Sequence, residues 1–580
     1  MTDKNFKLTN PFGSAPRKAP YSQAVSTSDP WHNIPVTREY TLGQLLDQTI
    51  ARCGPQDALV YADRDFRLTW YEFGEEVDRL ARGLMALGIK HGEKIALWAT
   101  NVPHWVPLMF AAAKIGAILL PLNTNYKSAE IDFALKQSDT ENLFLINGFR
   151  DTDYVQTIYD LIPELREQPR GSLKSATYTH LKRVFFLGPE KHRGMYSLNE
   201  LLALSVQTSQ EDYLARQREL NCHDVINMQY TSGTTGFPKG VQLTHYNIAN
   251  DGFWIGACQN LSAADRVCIP VPLFHCFGCV LGVMSCINHG STMVLVEKYD
   301  AVNVMMSIEK EHCTSVYGVP TMYIAILDHP LFDKFNFSSL RTGIMSGSAC
   351  PVARMQQCVE KMNMREVTNP YGLTESGPVM TMTRYFETSI ERKCQTIGQA
   401  LPGVEVAIIN TETGEICAIN EPGEICCRGY GNMEGYYKMP EQTAKCIDEN
   451  GWLHSGDVGH MDEQGYFFIT SRIKDLIIRG GENVSPKEVE DFIGHMEGIQ
   501  DVAVVGVASK KYGEQPGAFV ILKEGAQLTE TDIADFCRNK IAWFKIPKYI
   551  TFVDSFPLTA SGKIQKYLMR ETAAKLWPDA

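Results

Sequence analysis

The 580-residue sequence has no apolar run of membrane-spanning length that is free of breakers. The nearest approach, "IPVPLFHCFGCVLGVMSCIN" at 269–288, carries no formal charge. Pro270, Pro272 and His275 interrupt its first third, so a buried segment is predicted there. "WVPLMFAAAKIGAILLPLN" is broken by Lys114 and Pro121, and reads as a core helix followed by a strand. The opening residues show no apolar h-region, so a secretory leader is not expected; Asp3, Asp29 and several prolines argue against an amphipathic transit helix. A surplus of positive charge is also missing. Lys plus Arg total 55 against 67 Asp plus Glu, a formal charge of −12. Nucleic-acid backbones are bound by cations, so nucleic acid is not an expected partner. Internal repeats and low-complexity segments are lacking too. These absences together predict a cytoplasmic protein with no transmembrane segment.

Cysteine is not scarce, at 16 residues, but the pattern of a disulfide framework is lacking. Most cysteines sit beside apolar residues, as in "VCIP", "GEICCRG" and "VMSCIN", where a reduced thiol acts as a small hydrophobe. Cys276 and Cys279 form one C-x-x-C, but no second pair stands at zinc-ligand spacing. A reducing compartment follows.

What is present is the composition of a large globular chain, 44% hydrophobic and 21% charged, long enough for several domains. Residues 1–38 read as a tail. From "YTLGQLLDQTIARCG" onward, apolar strands such as "DALVYAD" and "KIALWAT" alternate with amphipathic helices, which predicts mixed or parallel sheets flanked by helices. Residues 150–222 are rich in charge and Pro/Gly punctuation and read as an irregular insertion. A strand-rich stretch with frequent turns covers about 395–470. From Lys474 a small α+β unit is predicted, with a helix at "SPKEVEDFIGHMEGI", a turn at Gln500–Asp501, and strands at "VAVVGVAS" and "GAFVILKEG". The expected divisions are therefore a tail over 1–38, a large N-terminal domain over 39–473 and a small C-terminal domain over 474–580.

The run "YTSGTTGFPKGVQLTHYN" from 230 to 247 has the glycines, hydroxyls and lysine of a phosphate-binding loop. Its spacing departs from a Walker A loop, which needs G-x-x-x-x-G-K-[ST] running straight into a helix. "GVQLT" alternates like a strand before Thr244 can cap a helix, so the loop is predicted to join two strands. Gly233, Gly236 and Gly240 permit close backbone approach, while Thr231, Ser232, Thr234 and Thr235 offer hydroxyls.

Four more segments keep this loop company: "NPYGLTESG" at 369–377, "GWLHSGDVG" at 451–459, "SRIKDLIIRGGENVSPKEVE" at 471–490 and "TASGKIQK" at 559–566. In this order they resemble the AMP-forming acyl-CoA synthetases of the adenylate-forming superfamily, alongside luciferases and peptide-synthetase adenylation domains. The resemblance spans about residues 40–570. Ser471 stands where the family usually has Gly, and Ser455 where Thr is commoner; both are small replacements.

The resemblance implies a carboxylic acid–CoA ligase using ATP, Mg²⁺ and coenzyme A. It further implies a large α/β N-terminal domain with a β-rich subdomain, and a mobile α+β C-terminal domain. Two anions must meet in such a reaction, and each like pair costs about 4 kcal/mol at about 4 Å and an effective dielectric of about 20. By resemblance, Thr231, Ser232, Gly233, Thr234, Thr235, Gly236 and Lys239 wrap the β- and γ-phosphates. Thr374 donates to the α-phosphate and Glu375 is a Mg²⁺ ligand. Tyr371 faces adenine, with Gly347, Ser348 and Ala349 opposite, and Asn369, Pro370 and Gly372 complete that segment. Asp457 accepts the ribose hydroxyls, supported by Arg472. Lys563, beside Gly562, bridges the carboxylate and the α-phosphate. Lys474 is the hinge; Arg479, Gly480, Gly481 and Glu482 belong to the CoA step, with Lys545 and Lys548 as further phosphate candidates.

Trp254, His275, Phe277, Val319 and Pro320 are candidates for the acyl pocket, and His275 for its gate. They suggest a confined cavity for a medium-chain, alicyclic or aromatic acid. Two other readings stay open: an adenylating enzyme with another acceptor, such as a carrier protein, and a non-catalytic nucleotide-binding relative. The acid preferred and the oligomeric state, a homodimer included, are not legible.

Overall fold

Short apolar strands alternating with amphipathic helices assemble into two large sheets. The computed structural model describes residues 21–22, 31, 34–231, 238–348, 350–472, 475–479, 482–509, 512–538, 540–559 and 563–578. An 8-stranded sheet runs in the order Tyr196–Ser197, Arg183–Phe186, Asn142–Leu145, Lys94–Trp98, Ile118–Pro121, Val225–Thr231, Lys239–Thr244, Gly435–Tyr436. It is parallel until Val225–Thr231 and antiparallel for the last two strands. A 7-stranded sheet is ordered Glu366–Thr368, Thr342–Met345, Ser315–Gly318, Arg266–Ile269, Thr292–Leu295, Asp57–Tyr61, Phe66–Thr69, with only the last pair antiparallel.

Helices fill the space between these sheets. Thr41 and Thr69 cap the Leu42–Cys53 and Trp70–Ala86 helices with capping boxes closed by Gln44 and Glu72. The Trp105–Lys114 helix, read from sequence as a core helix, is buried at every residue. Its terminal Lys114 is 2% exposed and pairs with Asp47 at 2.7 Å and Asp78 at 2.8 Å, so one ammonium ties three helices together. The 269–288 segment is buried as predicted, and Phe277–Met284 is wound wider than an α-helix. No helix among the described residues is long and apolar enough to cross a membrane.

The strand-rich stretch forms an antiparallel sheet of Tyr21–Ser22, Val404–Ile409, Gly423–Gly429, Leu453–Met461 and Phe467–Arg472. In the smaller C-terminal domain, Ile499–Ser509 and Gly513–Leu522 pair as a long hairpin. Ile477–Arg479, Glu482–Val484 and Tyr549–Phe552 extend it, and the Pro486–Gly494 helix is capped by Ser485. The fold is thus α/β in a large N-terminal domain and α+β in a small C-terminal one.

Three expectations need correction. The 1–38 stretch is not a free tail where it is described. Tyr21–Ser22 pairs with Val406 and Ala407, and Trp31 is 6% exposed against Trp254, because an indole gains more by burial than by hydration. Residues 150–222 are not an irregular insertion: "RVFF" supplies Arg183–Phe186, an internal strand of the 8-stranded sheet. Gln500–Asp501 is no turn but a bulge within Ile499–Ser509, where apolar neighbours keep the chain in the sheet.

Candidate active site

The phosphate-loop candidate sits between paired strands, as its alternation predicts. Val225–Thr231 and Lys239–Thr244 are antiparallel, and their last pair is Thr231 with Lys239. Thr244 then caps the His245–Cys258 helix in a capping box with Asn247. Ser232, Gly233, Thr234, Thr235 and Gly236 lie outside the described residues.

The mouth of this hairpin meets Glu375. The Thr374–Ser376 turn is closed by the Ser376 hydroxyl, which donates to the Leu373 carbonyl at 2.9 Å and accepts the Leu373 N–H at 3.0 Å. Glu375 Oε1 accepts the Tyr436 hydroxyl at 2.8 Å and the Thr231 hydroxyl at 3.5 Å. Lys239 Nζ stands 4.6 Å from the Tyr436 ring centroid. Burial, then the Glu375 charge, pushes the Tyr436 hydroxyl far above its ordinary range, so it stays a donor. Tyr436 was missed in the sequence reading. Its only signal was the apolar edge "GYY", and its role depends on the strand beside Lys239–Thr244.

A second cluster forms where the parallel strands of the 7-stranded sheet end, the usual ligand edge of such sheets. Gly347 follows Thr342–Met345 with φ +93°, and a Cβ there would stand 3.0 Å from Val319 Cγ1. Ser348 is exposed beside it, and Ala349 lies outside the described residues. Asn369 is buried and donates to the Lys393 and Thr396 carbonyls at 3.2 and 3.3 Å, which fixes the start of the segment. Pro370 accepts the Ser346 hydroxyl at 2.6 Å, and a Cβ on Gly372 would fall 2.1 Å from the Pro378 carbonyl oxygen.

Tyr371 donates its hydroxyl to Asp457 Oδ2 at 2.6 Å. Asp457 stands across from Arg472, whose side chain lies outside the description, and is 3% exposed. Sheet pairing explains how Asp457 is presented. Cys426 pairs with His454 and Glu424 with Val458, so 455–457 bulge out of the Leu453–Met461 strand. Glu424 holds the bulge: Oε1 accepts the Gly456 N–H at 2.8 Å and Oε2 lies 2.8 Å from His454 Nδ1. Ser455 keeps the hydroxyl of the commoner Thr, and accepts the Asp457 N–H at 3.0 Å.

Comparison with known proteins decides what this geometry belongs to. The AMP-binding enzyme profile matches residues 46–437, and the AMP-binding enzyme C-terminal domain matches 488–563. The chain belongs to the AMP-binding enzyme family. A Bacillus subtilis (strain 168) protein, YngI, named as an acyl-CoA synthetase, is 46% identical over 537 residues, 93% of this chain and 98% of that protein. The mitochondrial medium-chain acyl-CoA ligase ACSF2 of Bos taurus is 40% identical over 541 residues, 92% of this chain and 87% of the relative. ATP-bound MatB from Rhodopseudomonas palustris superposes with a TM-score of 0.80 at 26% identity, covering 92% of this chain and 99% of that one. The anthranilate CoA ligase AuaEII with anthranoyl-AMP gives 0.78 at 25%, covering 93% and 98%. The protein is an AMP-forming acid–thiol ligase of the acyl-CoA synthetase type.

In this member of the AMP-binding family, the Lys563 charge is felt at His275 and Cys276 in the large domain. The Lys563 N–H donates to Thr559 Oγ1 at 3.0 Å and its carbonyl accepts the Thr559 N–H at 2.8 Å, which fixes its backbone. Desolvation, helped by the Lys563 ammonium, pushes the His275 imidazole down to about 3. The ring is neutral, and Nδ1 accepts the Phe277 N–H at 3.1 Å. Cys276, with Sγ 3.6 Å from Thr374 Oγ1, is pushed up to about 11 by burial, so it stays a thiol.

Among the acyl-pocket candidates, Phe277 faces Tyr317 at 6.3 Å, and Val319 with Pro320 opens the Pro320–Leu327 helix next to Gly347. Trp254 is buried in packing: its indole N–H donates to the Val36 carbonyl at 2.8 Å and its ring meets Trp31 and Phe253. Arg479, a CoA candidate, is held among backbone carbonyls. Its Nη1 donates to the Trp543, Phe544 and Ile546 carbonyls at 3.3, 3.0 and 3.2 Å and its Nη2 to Gln515 at 3.1 Å. Lys545 is paired with Glu488 at 2.5 Å. Lys474, Gly480 and Gly481 lie outside the described residues, as does the Glu482 side chain.

Tyr436→Phe removes the hydroxyl on Glu375 but keeps the ring under Lys239. Acid-dependent ATP–pyrophosphate exchange is expected to fall about 10–100-fold, the usual cost of losing a group that orients a ligand. Wild-type exchange in this variant would show that Glu375 needs no such anchor.

Proposed function

We propose that the protein joins a medium-chain fatty, alicyclic or aromatic acid to coenzyme A in two half-reactions. The acid's carboxylate attacks the α-phosphorus of ATP, giving acyl-AMP and pyrophosphate. The thiol of CoA then attacks the acyl carbon and AMP leaves. The supporting observation is convergence: Lys563, from the C-terminal domain, acts on His275 and Cys276, and Cys276 touches Thr374 beside Glu375. An ammonium at that point offsets the repulsion between carboxylate and phosphate, which otherwise costs about 4 kcal/mol per pair at about 4 Å and a dielectric of about 20.

Each remaining residue has a matching role. Lys239 and the hydroxyl-rich loop steady the departing pyrophosphate. Thr374 donates to the α-phosphate. Tyr371, with Gly347 and Ser348 opposite, takes adenine, and Asp457 with Arg472 takes the ribose. A Mg²⁺ fits the donor set at Glu375, because Oε2 accepts no hydrogen bond among the described residues and the Thr231 hydroxyl adds a second hard oxygen. The ion would neutralise phosphate charge. Phe277, Val319 and Pro320 form an apolar wall for the acyl group. The bovine relative named for medium-chain acids supports that substrate class.

The chain divides at 473/474, and the C-terminal domain rotates about Lys474 between the half-reactions. That motion withdraws Lys563 and brings Gly480, Gly481 and Glu482 to the thiol.

A panel of carboxylic acids with ATP, Mg²⁺ and CoA, assayed for AMP release, is expected to favour medium-chain and ring acids over very long chains and amino acids; the opposite ranking rejects the pocket assignment. Lys563→Ala is expected to lower acid-dependent ATP–pyrophosphate exchange about 10²–10³-fold while converting supplied acyl-AMP nearly as well as wild type. Survival of both half-reactions would remove Lys563 from its role. Lys474→Pro is expected to spare exchange and slow thioester formation, and equal loss of both steps argues against rotation.

A further inference from the structure

Glu424, Cys426 and His454 converge beside the bulge, and nothing in the proposed reaction uses the thiol or the imidazole. Cys426 and His454 are cross-strand partners, and Glu424 lies two residues upstream of Cys426. One ligand-capable atom from each lies within 4.8 Å of the others. His454 Nδ1 stands 2.8 Å from Glu424 Oε2 and 3.4 Å from Cys426 Sγ. Its other nitrogen, Nε2, faces Asp448 Oδ2 at 3.6 Å. Metal-binding histidines are built this way: one nitrogen faces the ion, and the other donates to a carboxylate that sets the tautomer and ring plane.

Distances test the fit. A tetrahedral ion with M–N about 2.0 Å and M–S about 2.3 Å holds N and S about 3.5 Å apart, against 3.4 Å here. The same geometry holds N and a carboxylate O about 3.3 Å apart, so Glu424 Oε2 must retreat slightly from its present 2.8 Å. Thiolate, imidazole and carboxylate together favour a borderline ion over Mg²⁺. The His454 and Asp448 side chains are 29% and 30% exposed at the rim, while Cys426 is fully buried at the floor.

We infer that Glu424, Cys426 and His454 form a site for a borderline divalent cation of the Zn²⁺ class, with Asp448 as the outer carboxylate and a fourth position for water. Binding displaces the proton of the Cys426 thiol, because the thiolate is the ligand form. The groups facing the His454 ring are Glu424, Cys426 and Asp448. Protons therefore compete with the ion. Glu424 keeps Oε1 on the Gly456 N–H, so an ion on Oε2 sits one hydrogen bond from the bulge that presents Asp457.

The test is titration of the chelator-treated full chain with Zn²⁺ alone by calorimetry, and with Co²⁺ by absorption. Wild type is expected to take one Zn²⁺ per chain, more tightly at about pH 8 than at about pH 6. Cys426→Ala and His454→Gln are expected to bind at least about tenfold more weakly, whereas Cys427→Ala binds as wild type. The thiolate-to-cobalt charge-transfer band is expected in wild type and Cys427→Ala and absent in Cys426→Ala. Circular dichroism confirms that each variant is folded, and Cys426→Ser replaces an alanine variant that is not. Failure of wild type to bind one equivalent, unchanged Zn²⁺ affinity in Cys426→Ala or His454→Gln, or a cobalt band that survives loss of Cys426 overturns the assignment.

Discussion

The hydrogen bond from Tyr436 to Glu375 is the contact on which the rest of the site depends. It joins three segments far apart in the chain: the 225–244 hairpin, the Thr374–Ser376 turn and the Gly435–Tyr436 edge strand. The same ring lies under Lys239, so one side chain touches both a cation and a carboxylate. The Met433 N–H, donated to the Glu375 carbonyl at 2.9 Å, fixes the turn's backbone as well.

Charge is placed differently in the two halves of the site. The mouth of the hairpin holds Lys239, Thr231 and Glu375 in polar surroundings. The floor under Thr374 is the opposite: His275 is held neutral and Cys276 is held as a thiol, both by desolvation. The Lys563 charge acts on both groups, and a low effective dielectric strengthens any charge interaction at that point.

Asp457 depends on a different device. The 455–457 bulge lifts the carboxylate out of register, and Glu424 holds the bulge through one N–H and one imidazole. A regular strand would have alternated Asp457 with its neighbours. Extra residues in one strand, opposed by a single partner, re-aim the side chain toward Tyr371.

Local pattern determined much of this protein. Alternation in "GVQLT" and the Thr244 cap placed the loop between strands and excluded a Walker A helix, because side-chain period and capping are short-range properties. The ordered motifs were legible as a resemblance, and with them the family and its reaction type. Partnership between distant segments was not legible. Tyr436 carried no motif, Glu424 was one acid among many, and nothing in the local sequence announced the carbonyls gathered around Arg479. The docking of Trp31 on Trp254 and the internal strand at Arg183–Phe186 were hidden for the same reason. Hydrogen bonding and burial between residues tens to hundreds of positions apart are set by how the sheets close on one another, and no spacing along the chain encodes that. Sequence alone determined which chemical groups the protein owns; only the tertiary structure decided which of them face each other.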